Sequence, residues 1–293
     1  MSTGILAALG TAVCWAACSF TFEVAGKRIG SYSVTVIRLF LGFLMLIPVS
    51  WVLNGTLFPR GVPANNLMLL SVSGLVGFVF ADLCLFSAFV RISARITMVI
   101  YTTVPLMTGL LGWAFLGETL SIQQWGGILL TSAGVAFVLT QTSGQDRGWV
   151  LTRTGFTLAL LGSLGQAAGL VIGKAGLEGV SSIGATQIRV TAAALAFIPV
   201  TLVMRRTARI VEGAGNVRAM KFLTLGTIAG PVIGVTLSMT AVRLIPAGVA
   251  ATLISMTPIF LMIPSALFAG HRLTMRDAIG TAGAVLGGIL VAG

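Results

Sequence analysis

Charge, and acid above all, is what this chain has least of. Seven Asp and Glu and a single histidine serve 293 residues, and only 9% of the chain is charged. A soluble domain carries about 25% charged residues, so a water-facing surface is excluded over most of the length. The one histidine, His271, falls in a loop, and Cys14, Cys18 and Cys84 all fall inside apolar runs. Clustered ligands for zinc are therefore excluded, and the cysteines read as packing residues. With so few acids and no second histidine, neither a nucleophile–base pair nor paired metal ligands can be assembled, which argues against an enzyme. No G-x-x-x-x-G-K-[ST] loop occurs, so ATP does not drive this chain directly. Stretches that interleave basic and aromatic residues are missing too, so the net charge of +11 is not a nucleic-acid footprint. The N-terminus lacks a basic leader and a convincing cleavage site, and is expected to stay as a membrane helix.

What the chain has in abundance is apolar length. It is 56% hydrophobic with a mean hydropathy of +1.03, and it holds 37 glycines. A bilayer core about 30 Å thick takes about 20 residues of helix, and in lipid the backbone must satisfy its own hydrogen bonds. Apolar runs between polar punctuation predict ten helices, near 4–25, 32–53, 66–89, 94–116, 122–140, 154–174, 183–204, 219–241, 247–269 and 274–292. Glycine at this frequency suits membrane helices that approach closely. The fold class predicted is an all-α integral membrane protein, with the longest linker around Arg205 to Lys221.

The halves resemble each other. At a shift of 151, Ser31 meets Ser182, Arg38 meets Arg189 and Pro48 meets Pro199, and "TVIRLFLGFLMLIPV" runs gap-free against "TQIRVTAAALAFIPV". The shift grows to 152 at Phe86/Ser238 and to 153 where Pro105 meets Pro258 and Gly117 meets Gly270. Two repeats are predicted, 1–145 and 146–293, five helices each. An odd number turns the second copy over. The charge bias agrees. Lys27, Arg28, Arg91 and Arg95 follow helices one and three, with Arg60 alone after helix two. In the second copy Arg205, Arg206, Arg209, Arg218, Lys221, Arg272 and Arg276 follow helices seven and nine, opposed by Lys174 and Arg243. Under the positive-inside rule the bias flips between copies and puts both termini outside the cytoplasm. Inverted repeats are the common build of secondary transporters, with the solute site where the halves meet.

Ionisable groups in a membrane helix are costly and are functional candidates by default. Asp82 sits deep in the third helix and reads either as partner of a substrate ammonium or a proton, or as a group held by a neighbouring hydroxyl or arginine. Arg38 and Arg189 are repeat equivalents. Inversion is expected to place them at opposite faces, where they brace a repeat or snorkel, carboxylate capture being the sharper alternative. Glu23 and Lys174, also equivalents, are expected near opposite interfaces. Glu118, between two helices, reads as a helix-terminal cap. Pro105 and Pro258 kink helices four and nine and free carbonyls toward any cavity, a gating role included. Trp15, Phe78, Phe80 and Tyr101 are candidates for an aromatic wall, Gln166 for a cavity amide, and Ser238 and Ser255 for weaker polar contacts, since a membrane serine can bond its own helix.

Two five-helix repeats with a proline in each fourth helix, "TVPLMTGLLGWAFLGETLS" and "MTPIFLMIPSALFAGHRLT", resemble the EamA-type family of the drug/metabolite transporter superfamily. Gly117-Glu118 matches the family's Gly-Glu pair, while the second repeat has Gly270-His271. The chain looks most like bacterial exporters of amino acids, aromatic ones in particular. The resemblance implies alternating access through a central cavity lined by helices one, three, four, six, eight and nine, no cofactor, a multi-pass position in the bacterial inner membrane, and an amino acid and the bilayer as partners. The alternatives kept open are another metabolite or a hydrophobic cation as cargo, and a passive channel.

Overall fold

A computed structural model describes residues 1–92, 94–140, 152–261 and 275–293. Gly270, His271, Arg272, the end of the predicted ninth helix and the junction between the two predicted repeats lie outside the described residues, as do the side chains of Arg95 and Arg276. Among the described residues the elements are all helical, and eight helices are long and apolar enough to cross a membrane. They are α1 (Ser2–Ile29), α2 (Ser31–Asn54), α3 (Ala64–Ile92), α4 (Ile96–Leu116), α5 (Ile122–Leu139), α6 (Arg153–Ala175), α7 (Ser182–Val203) and α8 (Val217–Leu244). Two shorter apolar helices complete the described chain, α9 (Ala247–Leu261) and α10, which runs from Met275 to Ala292. The long predicted linker after α7 is not irregular: it forms a short helix, Thr207–Gly215, whose Ile210 packs on Ala25, Val34 and Ile37.

Several helices are not regular, and the irregularities repeat. α3 carries a π-helical turn at Leu75–Phe80 and α8 carries one at Ile228–Gly234. A π-turn misaligns the backbone ladder and is often found at functional sites. α4 breaks after Tyr101 and restarts at Val104, with Pro105 at the head of the new segment. The hydroxyls of Thr102 and Thr103 bond back to the carbonyls of Val99 and Ile100, both at 2.7 Å, which keeps the broken turn satisfied. α9 breaks in the same way, after Ile254 and before Pro258, where Ser255 and Thr257 bond the carbonyls of Thr252 and Ile254 at 2.7 Å. Proline lacks the donor that would continue the ladder, and hydroxyl residues in the preceding turn take over.

Glycine sets how closely the helices approach. On α6, Gly162, Gly165, Gly169 and Gly173 form a stripe facing α3, where a Cβ on Gly169 would lie 2.7 Å from the Cα of Gly77. α5 and α10 cross through a second seam. A Cβ on Gly127 would come 2.7 Å from the Gly287 carbonyl oxygen, and one on Gly134 2.6 Å from that of Gly280. Without a hydrophobic force between lipid-bathed helices, such seams carry association through close van der Waals contact. Gly134→Leu is therefore expected to lower the melting temperature of the purified protein in detergent, overpacking costing about 1–3 kcal/mol. Gly126→Leu should leave it unchanged, because a Cβ there meets nothing within 4 Å.

Candidate functional site

A cavity of about 400 Å³ lies among the helices, lined mainly by apolar atoms with a few polar groups between them. That size and composition suit one small organic solute. The polar groups come from both halves of the chain. From the first, α2 supplies Arg38, α3 supplies Asp82, and the break in α4 supplies Tyr101 and Thr102. From the second, α6 supplies Gln166, α7 supplies Arg189, α8 supplies Ser238, and the break in α9 supplies Ser255 and Thr257, with the apolar ring of Pro258 beside them. Trp15 of α1 and Phe78 of α3 add aromatic surface. Val135 and Leu139 bring α5 to the wall as well, so α2, α5 and α7 join the six helices that the family resemblance implies.

Asp82 and Arg38 form a buried ion pair, Nη2 to Oδ2 at 2.5 Å, with side chains 10% and 13% exposed. The Arg38 guanidinium also stands over the Phe22 ring, 5.5 Å from its centroid. Gln166 donates from Nε2 to the Gly77 carbonyl at 3.0 Å, and the same nitrogen lies 3.5 Å from Asp82 Oδ1. Gly77 belongs to the π-turn of α3, so the irregular ladder gives that carbonyl a side-chain donor. Arg189 is 4% exposed and packs over the Phe78 ring at 5.0 Å. Its Nη1 has the Met239 sulfur at 2.9 Å, a weak acceptor, and its Nε has no partner.

The two arginines correct the expectation that they sit near opposite faces as braces. Each stands seven residues into its helix, Arg38 after Ser31 and Arg189 after Ser182, which is a depth of about 10 Å. A long side chain spans much of the remaining distance to the middle. Both therefore line one cavity.

Phe80 is also corrected. It is 45% exposed and does not line the cavity, whereas Phe78 does. Residues two apart on a helix do not share a face, so only one of the two could turn inward. Pro105 is buried but stands behind the wall, and its effect on the site is the break just before it. Ser255 lines the cavity with its hydroxyl already donated to Thr252.

A second polar cluster lies at one end of the bundle. Glu118 is an end cap, as its position suggested, but of a different helix. Ser121 and Gln124 cap α5 by themselves in a reciprocal box. Glu118 instead reaches across, its Oε2 accepting the Ala247 N–H at the start of α9 at 2.7 Å. Its Oε1 pairs with Lys174 at the end of α6, and Lys174 Nζ donates to the Ile245 carbonyl at 2.7 Å. One acid and one base thus tie the end of α4, the end of α6 and the α8–α9 turn. Lys174 was expected to be merely interfacial, and this tie corrects that. Glu23, its repeat equivalent, makes an exposed pair with Lys27 at 2.5 Å. The signal missed in the sequence was the coincidence of an acid and a base, each at a helix end.

The model for the EamA-like transporter family matches residues 2–140 and again residues 153–293. No curated protein matches the chain. Among solved structures 28 chains match. One, a crystal structure described only as that of a protein, is 16% identical with a TM-score of 0.69, over 98% of this chain and 96% of its own. At that identity the likeness speaks for the fold.

Proposed function

This chain belongs to the EamA-like transporter family, and is thus a multi-pass membrane transporter of the drug/metabolite superfamily; from that premise we propose that it is a secondary carrier exporting amino acids, aromatic ones included, by alternating access. The observation that carries the reading is the central cavity. It draws its polar groups from both matched stretches, and it pairs an aromatic surface, Trp15, Phe78 and Tyr101, with charged and amide groups. A flat apolar side chain and a zwitterionic backbone need these two kinds of wall.

The scaffold proposed is ten membrane helices in two inverted repeats, residues 1–145 and 146–293, in the bacterial inner membrane. The α5–α10 crossing supports it. Gly127 faces Gly287 and Gly134 faces Gly280, so the helices cross antiparallel, and each contact is the other's counterpart at the repeat shift of 153. Thr131 Oγ1 donates to the carbonyl of its own equivalent, Ala284, at 3.3 Å. A two-fold axis between inverted halves would produce this pattern. The π-turns of α3 and α8 and the proline breaks of α4 and α9 fall at equivalent places as well.

The charge bias of the loops assigns the Glu118–Lys174 end to the outer face. The cavity extends the other way, past Phe89, Met98 and Leu139, toward the cytoplasmic ends of α3, α4 and α5. The conformation proposed is therefore inward-facing, held shut on the outside. Arg38 against Asp82 weighs against an organic cation as cargo, since the one acid lining the cavity among the described residues already has a partner.

The test is counterflow. Liposomes holding the purified chain and a high internal concentration of unlabelled phenylalanine or leucine are expected to accumulate the labelled amino acid transiently, with saturation in the external concentration. Absence of accumulation for aromatic and aliphatic amino acids alike would reject the substrate class, and flux without saturation would indicate a channel.

A further inference from the structure

Repeat symmetry marks one charge in the cavity as left over. In the first half Arg38 of α2 is neutralised by Asp82 of α3. Arg189 of α7 is the equivalent of Arg38, so its neutralising acid belongs on α8, at the equivalent of Asp82. At the shift of 152 that holds for this stretch, the position is Gly234. Among the described residues no carboxylate pairs with Arg189, whose guanidinium lies against the Met239 sulfur and the Phe78 ring face. Of the five donors on a guanidinium, Nε has no partner at all. Among the described residues the charges lining the cavity, Arg38, Asp82 and Arg189, sum to one positive charge, carried by a group 4% exposed.

A lone guanidinium is expensive to hold inside a membrane protein, and glycine at the equivalent of Asp82 supplies no countercharge. We infer that Arg189 is the anion-binding residue of the cavity and that the cargo must present a carboxylate to it. The planar fork of arginine suits a carboxylate in a bidentate pose. In that pose Phe78, already against the guanidinium, and Tyr101 flank the solute, and Gln166 offers its amide from the same chamber. The Arg38–Asp82 pair stays out of this contact. The inference rests on the reading of the cavity as a solute site and narrows it: amino acids and other apolar carboxylates qualify, whereas amines of the same shape do not.

Binding and transport are measured separately so that each idea fails on its own. Binding is read as thermal stabilisation of the purified chain in detergent by phenylalanine, by phenylpropionate (carboxylate without amine) and by phenethylamine (amine without carboxylate). Phenylpropionate and phenylalanine are expected to stabilise and phenethylamine not. Arg189→Gln should weaken both carboxylates by about ten- to a hundredfold, as expected for one charge-assisted hydrogen bond, while Arg189→Lys should recover part of the loss. A structural role alone would lower the melting temperature without changing the ranking of the ligands. Should Arg189→Gln fail to fold, the ranking in the unaltered chain decides. Stabilisation by the amine equal to that by the acid, or by no carboxylate at all, would overturn the assignment. Carboxylate binding without counterflow would leave the site standing and sink the transport reading. Counterflow of amine and acid alike would do the reverse.

Discussion

Asp82→Ala is expected to destabilise the protein by about 3–5 kcal/mol, the usual result of removing one member of a buried ion pair. Arg38 is then left charged in a cavity that already holds Arg189, and the total of one positive charge becomes two. The double substitution Arg38→Met with Asp82→Ala should return most of the lost stability, because a buried pair replaced by apolar groups is often neutral. If the pair only orders α2 against α3, transport should return with stability. If the pair shapes the chamber around the solute, stability should return and counterflow should not. Thermal melts and counterflow on the same preparations distinguish the two outcomes. A single Asp82→Ala variant as stable as the parent would contradict the ion pair itself.

With the proposed orientation, in which the Glu118–Lys174 end faces outward, Lys174→Met is expected to open that end of the bundle. The substitution removes the ion pair to Glu118 and the bond to the Ile245 carbonyl together. Each charge-assisted bond is worth about 1.5–3 kcal/mol, and 1.4 kcal/mol already moves a two-state equilibrium tenfold. Ser255 lines the cavity and serves as the probe. In a chain whose Cys14, Cys18 and Cys84 are replaced, a thiol introduced by Ser255→Cys should react with an impermeant reagent from outside at least about ten times faster once Lys174 is gone. Glu118→Gln should fall between, since the amide oxygen still accepts the Ala247 N–H while the ion pair is lost. Unchanged labelling in all three backgrounds would mean that the cluster is a packing feature and not a closure.

Helix positions were legible because lipid imposes one pattern, long apolar runs closed by charge. Pro105 and Pro258 announced the breaks in α4 and α9, since a missing N–H cannot be compensated within the ladder. The π-turn of α3 gave no such notice, whereas that of α8 contains Pro231. A π-turn arises from an extra residue accommodated in the ladder, and an apolar stretch such as Leu75–Phe80, with its single glycine, looks like ordinary helix in composition. Long side chains misled most. Arg38 and Arg189 were assigned by their backbone height, yet the reach of a guanidinium takes it well beyond its own Cα. Glu118 was recognised as a cap, but the helix it caps begins at Ala247, and no local pattern links residues so far apart. Phe80 failed by rotation alone. Trp15, Phe78, Asp82, Tyr101, Gln166, Ser238 and Ser255 lie on the cavity wall; Asp82 and Gln166 stand out as mid-helix polar groups in so apolar a chain, whereas aromatic and hydroxyl residues are too common for their type alone to mark the wall.

Two-sided labelling tests the inverted arrangement most directly. In the cysteine-replaced chain, Arg60→Cys and Ala208→Cys each put one thiol at an exposed position just past α2 and just past α7. The expected result is that one reacts with an impermeant maleimide on intact cells and the other only after the membrane is opened. Reaction of both from the same side would contradict the turned-over second half, and with it the single chamber served from either face.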